Sequence, residues 1–80
     1  MPRVNQDQVE QEMRILAEDR VRSFVGDAPL LSRSQTAKIW GRSSSWVKAM
    51  QVAGRVPTVP FGNMEKVQRA VVIIGLVREV

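Results

Sequence analysis

The chain has 80 residues, 44% of them hydrophobic and 25% charged, a composition that describes one small globular domain rather than a disordered segment. It contains no cysteine, histidine or tyrosine, which excludes disulfides and thiolate metal sites and removes the commonest general bases and thiol nucleophiles. The net charge of +4 is unevenly placed: residues 1–27 hold four arginines against six acids, net −2, whereas residues 28–80 hold eight basic residues against Glu65 and Glu79, net +6. Such a basic portion suits a polyanionic partner.

From about Asn5 to Val25 the sequence predicts a helix. Val9, Met13, Leu16 and Phe24 recur at helical steps, with Val21 and Val25 beside them, and Gly26-Asp27-Ala28-Pro29 ends it. The preferred use of this apolar stripe is core packing within the chain. A second helix opens at Ser32, where Ser32-Arg33-Ser34-Gln35 has the capping-box spacing, and runs to Trp40, with Gly41 suited to a left-handed termination. Ser43 caps a third helix that continues to about Ala53, closed by Gly54. Two short helices joined by so brief a turn must cross steeply, which is the helix-turn-helix pattern. Ala37 provides the small residue at the crossing. Ile39 and Trp40 from the first helix, with Val47 and Met50 from the second, supply the shared core.

Arg55-Val56-Pro57-Thr58-Val59-Pro60-Phe61-Gly62 reads as extended, because each proline biases its predecessor away from helix. Asn63 then caps a final helix from Met64 onward, with Glu65 in its first turn and Met64, Val67, Val71 and Ile74 on one face. The β-branched run Val71-Val72-Ile73-Ile74 also suits a strand. No apolar run reaches membrane-spanning length, and the amino terminus is too polar for a signal peptide, so the expectation is a soluble, cytoplasmic protein.

The run Leu31-Ser32-Arg33-Ser34-Gln35-Thr36-Ala37-Lys38-Ile39-Trp40-Gly41 resembles the opening of excisionase-type, MerR-like winged helix-turn-helix domains, which read L-T-x-x-E-A-A-x-L-L-G. Ser43-Ser44-Ser45-Trp46-Val47-Lys48-Ala49-Met50 is similar to their recognition helix, and Gly54-Arg55-Val56-Pro57 to their entry into the wing. The resemblance covers residues 31–62. It implies a mainly α fold: an N-terminal helix (5–25), the helix-turn-helix with its wing (31–62) and a C-terminal helix (64–80). One departure stands out, since Phe61-Gly62-Asn63 leads straight into the expected last helix, which predicts a shortened wing without a returning strand.

The resemblance also implies double-stranded DNA as partner, in a phage or prophage recombination directionality factor that bends or arrays on attachment-site DNA and steers an integrase toward excision. The short chain without a ligand-sensing domain favours this over a small transcriptional regulator, and a protein-interaction module on the same scaffold is a third reading. No cofactor or metal is expected, and no enzymatic activity. The DNA-facing candidates are Arg42, Ser43, Ser44, Ser45 and Lys48 around the start of the third helix, with Ser43 also explained as an N-cap. Arg33, Lys38, Arg55, Lys66 and Arg69 are the candidate phosphate contacts. Trp46 is expected to pack on the preceding helix. One such module buries roughly 600–1,000 Å² on DNA, so several copies or an integrase partner are expected to share the site.

Overall fold

The computed structural model describes residues 5–78; Arg3 and Glu79 of the charge balance, and the last two residues of the expected C-terminal helix, lie outside them. In chain order the elements are α1 (Gln6–Val25), β1 (Leu30–Leu31), α2 (Arg33–Trp40), α3 (Ser44–Val52), β2 (Val59–Phe61), β3 (Met64–Gln68) and α4 (Arg69–Val77). The chain is mainly helical, with a small three-stranded sheet. None of the described helices is long and apolar enough to cross a membrane.

The middle helices form as their ends dictate. The Ser32 hydroxyl accepts from the Gln35 amide while the Gln35 side chain accepts from the Ser32 amide, so the expected capping box is present. Gly41 takes φ +68°. The amides of Gly41 and Arg42 bond back to the carbonyls of Lys38 and Ala37, closing α2 with a Schellman motif. Ser43 caps α3 by accepting from the Trp46 amide at 3.1 Å. Ala37 is buried where α2 and α3 pack, and Val47 and Ile39 are fully enclosed.

Beyond α3 the expectation of a final helix from Met64 is wrong. Gly62, at φ +63°, and Asn63 form a two-residue turn, and Met64–Gln68 returns as a strand. β3 pairs antiparallel with β2, Phe61 opposite Met64 and Val59 opposite Lys66. On its other edge it pairs antiparallel with β1, Leu31 opposite Val67, giving the order β1-β3-β2. The expected shortened wing is therefore corrected: the returning strand exists, and the C-terminal helix starts only at Arg69. The physical reason is that β3 pairs on both edges and buries Val67 between its neighbours, whereas a helix from Met64 would leave Leu30–Leu31 without a partner.

The face of α1 that meets the core agrees with expectation only at Val21 and Val25, which pack on the core. Ala17 and Val21 are buried, while Val9, Met13, Phe24 and above all Leu16, 69% exposed, stay at the surface. Small Ala17 lets α1 approach α4 and α2 closely, and Arg20 anchors it by donating to the Ile39 carbonyl at 2.8 Å. Of the face expected along the last helix, Val67 is buried but in β3, Ile74 and Met64 are exposed, and Val72 is the buried residue of α4. Val21, Leu31, Ile39, Val56, Val67 and Val72 make up the core, flanked by Val25, Trp40, Met50 and Leu76. The Trp40 indole donates to the Val72 carbonyl at 3.0 Å and lies so close to α4 that a Cβ on Gly75 would come within 2.4 Å of it.

Candidate nucleic-acid interface

Helical spacing divides α3 into two arcs. Trp46, Val47, Met50 and Gln51 turn inward, and Ser44, Ser45, Lys48, Ala49 and Val52 form a continuous exposed arc. Apart from the apolar Val52 at its end, side chains on that outer arc are small or basic, so the helix backbone is free to approach a partner surface. Between Ala28 and Met64 the chain carries five basic residues, Arg33, Lys38, Arg42, Lys48 and Arg55, and no acid, a local net charge of +5. All the acids of the described residues except Asp27 and Glu65 lie on α1.

Arg42 sits in the turn, its amide held by the Ala37 carbonyl. Its guanidinium carbon lies 4.7 Å from the Trp46 ring centroid. Trp46 in turn meets Trp40 edge-on, with centroids 6.3 Å apart and planes at 85°. Trp46 thus packs on α2, and its outer face carries a stacked arginine. A guanidinium held over an aromatic face can still use its N–H groups, which suits bidentate contact with guanine or phosphate.

The remaining candidates separate by what they touch. Ser43 is occupied as the cap of α3, while Ser44, Ser45 and Lys48 are exposed beside it. Lys38 on α2 and Arg55 just after α3 are also exposed. Arg33 is half-buried and donates to the Gln51 side chain at 2.8 Å, joining the start of α2 to the end of α3. Arg69 reaches the carbonyls of Gly26 and Ala28 at 2.6 and 3.1 Å, bracing the α1–β1 connection. These two arginines are brought into the fold rather than onto the exposed arc.

Lys66 is on the hairpin formed by β2 and β3, its ammonium 4.9 Å from the Phe61 ring centroid. Two exposed residues were missed in the sequence: Val52, 81% exposed at the end of the α3 arc, and Phe61 at the hairpin tip. Helical spacing from Ser45 and Lys48 would have found Val52. The dipeptide Gly62-Asn63 between Val59-Pro60-Phe61 and Met64 is compatible with a hairpin turn, but it stands against the helix-cap pattern of Asn63 before Met64-Glu65. Among the described residues no three of His, Cys, Asp and Glu gather where they could hold a metal ion. No family model, curated protein or solved structure matches this chain.

Proposed function

We propose that this protein binds double-stranded DNA with α3 in the major groove and the β2–β3 hairpin alongside as a wing. The observation that carries the proposal is the exposed arc of α3: small and basic side chains, presented by a tightly turned helix pair, from a stretch of chain with no acid. Arg42 and Lys48 supply the strongest contacts. Ser44 and Ser45 read bases weakly or hold phosphates, and Val52 offers an apolar surface to a thymine methyl. Lys38, Arg55 and Lys66 contribute phosphate contacts that position the module without reading sequence.

The hairpin supports the resemblance to winged, excisionase-type domains, because it supplies the returning strand that such a wing requires. On that resemblance, the proposed role is that of a recombination directionality factor acting with an integrase on attachment-site DNA.

Fluorescence anisotropy on duplex DNA across a salt series tests the binding. The logarithm of affinity should fall linearly with the logarithm of salt, and Arg42→Ala/Lys48→Ala should flatten the slope by roughly 2, about 0.9 for each phosphate left without its cation. Unchanged binding and slope in the double variant would remove α3 from the interface. An integrase excision reaction on attachment-site DNA, with and without the protein, then separates the roles. Stimulated excision supports a directionality factor, and operator binding with no effect on recombination indicates a transcriptional regulator.

A further inference from the structure

The tip of the hairpin is built unlike an ordinary solvent-facing turn. Phe61 and Met64 are the last cross-strand pair before the turn, directly opposite one another and each 58% exposed. Because side chains alternate along a strand, Val59, Phe61, Met64 and Lys66 share one face, and Lys66 lies over the Phe61 ring. Glu65, the one acid in the hairpin, pairs with Pro60 and so belongs to the opposite face. The Gly62-Asn63 turn is the shortest that closes a hairpin, so the two apolar side chains project at a narrow end rather than on a broad surface.

We infer that Phe61 and Met64 form a wedge that enters the minor groove of DNA and partly unstacks one base step, bending the duplex. This rests on the DNA-binding reading above and adds to it the side-chain pair that would open a base step. Charge chooses the occupant: the cation flanking the wedge, and the +5 acid-free stretch that leads into it, complement a polyanion. Phenylalanine and methionine are among the side chains that separate base steps from the minor groove, and a bent duplex can wrap more of the protein's basic surface. The specificity such a wedge adds is for a flexible step, pyrimidine followed by purine, which unstacks most easily.

The test uses duplexes selected from a random pool by the wild-type protein, with 2-aminopurine placed at successive steps and a donor–acceptor dye pair at the ends. Wild type should raise 2-aminopurine fluorescence several-fold at one step outside the α3 contacts and bring the ends closer. Phe61→Ala/Met64→Ala should lose both signals while binding falls less than Arg42→Ala/Lys48→Ala makes it fall. Phe61→Trp should keep them, and since both native side chains are exposed, the Phe61 and Met64 variants should melt as wild type does. Bound wild-type DNA with no unstacking and no bend overturns the wedge and leaves the DNA-binding reading standing. So does an undiminished bend in Phe61→Ala/Met64→Ala, or a change in that variant confined to self-association in sedimentation. Failure of the selection to enrich any duplex overturns both.

Discussion

Gly75 and Trp40 show how closely two residues can be tied across 35 positions of sequence. The indole packs so near the α4 backbone that any side chain at 75 collides with it. Gly75→Ala should cost about 1–3 kcal/mol by overpacking, read from the denaturant midpoint, and should alter tryptophan near-UV dichroism as the Trp40–Val72 hydrogen bond is strained. On α1 the expected costs are the reverse of what hydrophobicity suggests. Val21→Ala removes two methyl groups from full burial and should destabilise by about 2 kcal/mol. Leu16→Ala, at an exposed position on the same helix, should stay within about 0.5 kcal/mol. Equal losses at the two sites would show that α1 packs by its other face.

At the scale of elements, the helix ends and the hairpin turn each hold a local decision. Ser32 and Ser43 both accept from a backbone amide at the start of a helix, and alanine at either should cost about 1 kcal/mol. Ser43→Asp separates capping from DNA contact. Aspartate caps as well as serine does, so thermal stability should be retained, while a negative charge at the start of α3 should weaken DNA binding. If binding were unaffected, the beginning of α3 would not face phosphate. In the hairpin, Gly62→Ala forces a Cβ into φ +63° and should cost about 1–2 kcal/mol, with exchange protection lost first at the amides of β2 and β3.

Taken whole, the molecule is electrically divided, with acids along α1 and bases from α2 through the hairpin. Near the C-terminus, outside that basic region, the Arg78 guanidinium donates to Glu10 at 2.7 Å where α4 lies along α1. That hydrogen bond, with the charge of Arg78, holds the Glu10 carboxyl below the ordinary glutamate range. A depressed carboxylate contributes its stability above the unfolded value, about pH 4.3, and loses it as pH falls through the folded value. Arg78→Ala should therefore raise the Glu10 titration midpoint in an NMR pH series and remove part of the acid-side loss of stability. The pair is exposed, so the change in stability should be small and should shrink further in salt. An unmoved midpoint would mean that Arg78 and Glu10 do not pair in solution.

Capping, helix termination and the core of the α2–α3 pair were legible residue by residue, because each depends on neighbours within about five positions: Ser32 with Gln35, Gly41 with Ala37 and Lys38, Ser43 with Trp46. The exposed Ser44, Ser45 and Lys48 on α3 followed from the same local periodicity, although Val52 on that arc was missed, and the division of charge was read directly from the residues. The later part of the chain was decided elsewhere. Asn63 before Met64-Glu65 satisfies the pattern of a helix cap as well as that of a hairpin turn, and no local signal chooses between them. The choice comes from Leu30–Leu31, which lies some 35 residues earlier and needs a strand beside it. Likewise the apolar stripe on α1 was visible, but which side of that helix meets the core depends on the small surface of Ala17 and on the reach of Arg20 to Ile39. Arg33 and Arg69, indistinguishable in sequence from surface charges, are drawn into the fold by a glutamine and two carbonyls that only the tertiary structure brings within 3.1 Å. The sequence by itself thus determined where helices begin and which charges cluster, since those are short-range matters of hydrogen bonding and composition. Tertiary structure decided the sheet, the buried face of α1 and the arginines left free for a partner, since those depend on contacts between segments far apart along the chain.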